Sequence, residues 1–135
     1  MAVRVTRYAL VVAAVATLLC SEIRAAVAEP SFKIDERTAW RLAAEAYDHG
    51  RDPKSFDYDP GMGRPFFVYD GINEPNGSFG FFAVNPWTGD VWDLWDCRRL
   101  STPALRKSQA IIRSRFAPKE LKQYKRLAAI RPECI

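Results

Sequence analysis

Few residues in this sequence can do chemistry, and their types narrow the reactions open to it. The 135 residues contain one histidine, His49, and three cysteines, Cys20, Cys97 and Cys134. A Ser-His-Asp relay needs an imidazole beside its nucleophile. His49 instead sits in a His-Gly pair that ends a helical run, where it serves as a cation at a helix C-terminus. A zinc site needs three or four closely spaced ligands, and one histidine with two cysteines better used as a bridge falls short. No glycine-rich phosphate loop precedes a helix. Carboxylates remain, and two sets of them stand close in sequence, Asp52, Asp57 and Asp59, and Asp90, Asp93 and Asp96. Either group has oxygens for calcium or for a glycosidase pair, but neither has the glycine and distal glutamate of a calcium loop. The plainer reading makes them turn and edge-strand aspartates that keep a small sheet soluble. The sequence therefore predicts no catalytic residue, no metal site and no cofactor.

The elements that must position these groups follow from spacing. Asp35 is placed to cap a helix, and Ala39, Trp40, Leu42, Ala43, Ala46 and Tyr47 recur at helical intervals until His49-Gly50. Phe56 and Tyr58 alternate with Asp57 and Asp59, which predicts a short strand before a turn at 60–63. Phe66 to Tyr69 reads as a strand paired, across a turn-rich connection, with Phe79 to Val84. Asn85-Pro86-Trp87-Thr88-Gly89 then turns the chain into Val91 to Trp95, the strongest hairpin signal present. After Cys97, Ser101 or Thr102 caps a helix with Pro103 at its first position and Leu105, Ile111, Ile112 and Phe116 on its apolar side. Pro118 opens another, with Leu121, Tyr124, Leu127 and Ala128 inward, ending near Arg131-Pro132. The predicted class is α+β: an N-terminal helix, a three- to four-stranded antiparallel sheet and two C-terminal helices.

Length allows one domain, preceded by a targeting segment. Arg4 and Arg7 lead into an apolar run from Tyr8 to Cys20 that is too short to span a bilayer, and Ala26-Val27-Ala28 supplies a small-x-small cleavage site. Residues 1–28 read as a signal peptide, cleaved after Ala28, and 29–135 as the exported α+β domain, with no stable membrane anchor. Lipid attachment at Cys20 is disfavoured because Leu19 stands where a small residue is needed. Export leaves Cys97 and Cys134 in an oxidising compartment, where they pair. Charge is divided: from Glu29 to Asp96 there are 13 acidic and six basic residues, and from Cys97 to Ile135 two acidic and 11 basic. The basic C-terminal residues suit phosphate, but export argues against nucleic acid. Anionic lipid, cell-wall polymer, an acidic protein face or a merely solvated side remain, the last two favoured.

Alternation puts Trp92 and Leu94 on one face of the last strand and Val91, Asp93 and Trp95 on the other. If the helices cover one face only, one aromatic set, with Trp87 at the turn, forms an exposed binding surface. If the C-terminal helices and the 51–65 loop cover both faces, these rings are core. The run Phe79 to Asp93, FGFFAVNPWTGDVWD, resembles the final hairpin of PepSY-type domains, and the helix from Asp35 to Asp48 fits their opening helix, so the likeness spans about 34–96 and leaves the basic helical part, 97–135, outside. The same hairpin is similar to that of small exported immunity proteins that protect bacteria from peptidoglycan-attacking toxins. That resemblance implies a non-enzymatic periplasmic protein whose partner is another envelope protein, a toxin or cell-wall hydrolase. The expected partner-binding residues are Trp87, Asp90, Trp92, Asp93, Trp95 and Asp96. The alternatives are a carboxylate-dependent glycan hydrolase, or an envelope assembly module that docks anionic polymer.

Overall fold

The first two helices begin at a residue whose side chain closes the open N–H groups of the first turn. A computed structural model describes residues 30–47, 55–73 and 75–135. The expected signal segment 1–28, with Cys20, lies outside them, as do His49 and Asp52. Asp35 Oδ1 accepts from the Thr38 amide at 2.8 Å and starts α1, Glu36–Ala46. Thr102 Oγ1 accepts from the Leu105 amide at 3.1 Å and starts α2, Pro103–Ser114. The third helix, α3, Pro118–Ala128, has no capping side chain at Ala117. Glu120 reaches back instead to the Ala117 amide at 2.7 Å. Among the described residues, no helix is long and apolar enough to cross a membrane.

Between α1 and α2 the chain forms a five-stranded antiparallel meander in the order β1 (Phe56–Asp59), β2 (Phe67–Asn73), β3 (Gly77–Val84), β4 (Val91–Asp93) and β5 (Arg98–Arg99). The class is α+β, helix then sheet then two helices. The sheet has one strand more than expected. β5 is two arginines, carries no hydrophobic pattern, and joins the edge because Arg99 pairs with Trp92 and Arg98 with Asp93. Its charge is also what keeps a sheet edge from pairing with another chain.

Each face of the sheet carries a buried cluster. On one, Leu42 and Ala43 of α1 and Leu105 and Ile112 of α2 meet Phe56, Tyr69, Phe82, Val84 and Val91. On the other, Phe66, Val68, Ala83, Trp92 and Leu94 lie under Met62 and Ile130, from the loop before β2 and the tail after α3. Trp87, Phe116 and Leu127 form a third buried cluster between the hairpin and the C-terminal helices. Two residues expected inward are exposed, Ile111 and Leu121. Neighbours on a helix point about 100° apart, so burying Ile112 turns Ile111 outward. On α3, residues three apart drift around the axis, and burial of Leu127 carries Leu121 off the apolar face.

Cys97 and Cys134 form the disulfide, with Cα atoms 5.6 Å apart and a sequence separation of 37. It fastens the tail that crosses the second face. Reducing it is expected to lower unfolding free energy by about 3 to 4 kcal/mol, the chain entropy a loop of that length regains, read as a fall in denaturant midpoint with added reductant. Gly89→Ala is expected to cost about 2 kcal/mol, because Gly89 has φ +70° and an added Cβ would lie 2.6 Å from Ile112 Cδ1. Urea unfolding checks it.

Candidate functional site

The hairpin connection singled out by sequence, residues 85–90, is a buried polar knot. Asn85 and Thr88 are fully buried and Asp90 is 1% exposed. Asn85 Oδ1 accepts from the amides of Trp87 (2.9 Å) and Thr88 (3.1 Å), folding the turn on itself. Asn85 Nδ2 donates to the Leu127 carbonyl of α3 at 2.9 Å. The Pro86 carbonyl accepts from the Lys33 amide at 2.9 Å, and Gln109 of α2 donates to the Gly89 carbonyl at 3.1 Å. Trp87 is 2% exposed and its Nε1 donates to the Pro30 carbonyl at 2.7 Å.

Asp90 is held from two sides: the Thr88 hydroxyl donates to Oδ2 at 2.8 Å, and Arg99 of β5 pairs with Oδ1. Burial pushes its pKa up from the ordinary 3.8, while the Thr88 hydrogen bond and the Arg99 charge pull it down. Burial also raises the Tyr124 pKa, with the Asp90 charge adding to it.

The exposed binding surface expected at Trp87, Asp90 and Trp92 is thus corrected. Trp92 is 9% exposed, beneath Ile130, with the Arg131 guanidinium 5.6 Å from its ring centre. A Pro-Trp-Thr-Gly-Asp turn reads as surface because its residue types favour turns; here the chain before α1, the two C-terminal helices and β5 close around it. The other three residues stay near the surface. Asp93 Oδ1 accepts from the amides of Trp95 (3.0 Å) and Asp96 (3.2 Å), so its carboxylate builds the turn after β4. Asp96 is exposed and meets Arg98 at 3.3 Å. Trp95 is 50% exposed, its ring edge-on to Phe81 with centroids 6.2 Å apart.

The turn that carries Trp95 is restrained from both ends. Cys97, at φ +51°, is bonded to Cys134, and the Ile135 amide donates to the Leu94 carbonyl at 3.2 Å. Sequence reasoning did not foresee Phe81 beside Trp95, a contact that depends on strand register. As for metal, the described residues contain no group of three or more His, Cys, Asp or Glu able to hold an ion.

No protein-family model matches the chain, PepSY domains included, and no curated protein matches it. One solved chain is similar, from the structure of a type VI secretion system effector-immunity complex of Pseudomonas protegens, with 21% identity over 72% of this chain and 91% of that one and a TM-score of 0.48. A likeness of that size leaves the functional reading to the residues described above.

Two tryptophan substitutions separate knot from surface. Trp87→Ala is expected to lose about 3 to 5 kcal/mol of stability, and Trp95→Ala, which gives up mainly its edge-on contact with Phe81, roughly 1 kcal/mol, both by thermal and urea unfolding. For Asp90 the folded-state pKa is raised, so the unfolded chain gives up its proton first. Wild-type stability relative to Asp90→Asn is therefore expected to fall as pH rises from 3.8 to the raised folded-state value, and to level off above it. Paired melting curves across that window check the sign.

Proposed function

We propose that this chain is an exported, non-catalytic binding protein that acts in the bacterial periplasm by blocking a cell-wall-directed enzyme or toxin. The observation that carries this reading is Trp95: a large aromatic, half exposed, on a turn fixed by Asp93, by the disulfide and by the tail. An exposed indole ordered before binding loses little entropy on docking, which is what makes such residues binding anchors. Asp96 beside it adds an exposed carboxylate, and Asp93 adds a half-buried one that shapes the turn.

Within the group Asp90, Asp93 and Asp96, the contacts already made support a non-catalytic role. Asp90 is engaged by Thr88 and Arg99, and Asp93 by two backbone amides. A glycosidase acid or nucleophile must be free to meet substrate. The Cys97–Cys134 bridge supports an oxidising compartment.

The test is capture from bacterial envelope extract with wild-type and Trp95→Ala protein as baits. Wild type is expected to retain a cell-wall enzyme or toxin and to suppress its release of soluble peptidoglycan fragments at equimolar ratio. Trp95→Ala is expected to bind it about thirtyfold less tightly, roughly the 2 kcal/mol of an anchor residue. Release of fragments by the purified chain itself would overturn the proposal.

A further inference from the structure

Strand register sets Asp57, Asp70 and Phe81 in one row across the sheet. Asp57 pairs with Asp70 and Asp70 with Phe81, and the Leu94 amide donates to the Phe81 carbonyl at 2.8 Å. Directly opposed residues share a face, and Asp70 and Phe81 lie two positions from Val68 and Ala83, so the row belongs to the second face. The neighbouring row on that face, Asp59, Val68, Ala83, Trp92 and Arg99, runs through the cluster under Met62 and Ile130. The Asp57 row is more open: Asp57 is exposed, Asp70 and Phe81 are half-buried, and Trp95 stands at its end against Phe81.

Like charges directly opposed on antiparallel strands destabilise a sheet, with Cβ atoms about 5 Å apart. Neither Asp57 nor Asp70 is in an ion pair with a lysine or arginine among the described residues; the Asp70 carboxylate accepts from the Ser78 hydroxyl. The row thus presents two neighbouring carboxylates that no lysine or arginine of the described residues meets, beside two aromatic rings able to take an apolar neighbour. We infer that this row extends the Trp95 surface across the sheet and selects a partner protein whose contacting segment is cationic, a lysine or arginine meeting Asp57 and Asp70 and an adjoining apolar side chain resting on Phe81 and Trp95. The inference rests on the reading of Trp95 as a binding anchor and adds the chemistry of what it binds.

The probe is an acetylated, amidated Lys-Leu-Lys-Lys-Leu-Lys peptide titrated into the 15N-labelled protein, with Glu-Leu-Glu-Glu-Leu-Glu as counterpart. The cationic peptide is expected to shift the amides of Asp57, Asp70 and Phe81 and the Trp95 indole, and the anionic one to leave them in place. Asp57→Asn with Asp70→Asn removes charge without changing shape, and is expected to weaken the cationic peptide roughly tenfold while amide dispersion stays native. Binding should also weaken as salt rises from about 0.05 to 0.5 M. Shifts centred elsewhere, equal binding of the anionic peptide, or insensitivity to the double substitution would each overturn the inference. So would row shifts that appear on raising protein concentration alone, since the occupant would then be a second copy offering its own basic helices. A captured partner lost on Trp95→Ala but indifferent to the two asparagines would sink the cationic row and leave the anchor standing. Cationic-peptide binding at the row with no captured cell-wall enzyme would do the reverse.

Discussion

Burying a polar turn is costly unless every group in it finds a partner, and that constraint organises this molecule. Asn85 spends its side-chain oxygen on two amides of its own turn and its nitrogen on α3. Once the turn is closed in this way, its outward carbonyls and its tryptophan can be met only by particular neighbours: the segment before α1 at Pro86 and Trp87, α2 at Gly89, β5 at Asp90. The helices are placed against the sheet by apolar burial, but their register relative to the hairpin comes from these bonds. Gly89 is part of the same logic, because its missing Cβ is what lets Ile112 and Leu42 come close.

What could be read from sequence divides along the reach of the interaction. The caps at Asp35 and Thr102 were legible because a capping bond joins residues three apart. The helix and strand order followed from periodicity, and the bridge from cysteine count in an expected oxidising compartment. The fate of Trp87, Asp90 and Trp92 was not legible, because nothing in a Pro-Trp-Thr-Gly-Asp string says whether the tail and two helices return over it. β5 had no pattern to find, being two arginines held by pairing to β4. Of the six expected contact residues, the sequence reading misplaced the three that the fold encloses. Those that remain outside, Asp93, Trp95 and Asp96, belong to one turn whose conformation Asp93 dictates. Phe81 and the Asp57 row needed register, which a single strand does not disclose.

The uneven charge noticed in the sequence is only partly cancelled in the fold. Lys33 meets Glu120 at 2.6 Å and Arg99 meets Asp90, each linking the acidic and basic portions of the chain. Most of the remaining lysines and arginines of α2 and α3 face solvent, while Asp57 and Asp70 sit together on the sheet. Electrostatic asymmetry of this kind orients an approaching molecule before contact, and the two poles lie on different elements.

The meander has a consequence for how the chain acquires its shape. Each strand pairs with the one before it, so no strand has to be threaded between two others. Such a sheet is assembled by short closures, the least expensive in loop entropy and the quickest to form. α1 and the strands up to β4 supply much of the first core, whereas the second face is roofed only when Ile130 arrives from the far end of the chain. A half-made molecule would display Trp92 and Val68 to solvent, and this is the interval in which it is most exposed to aggregation or to a chaperone.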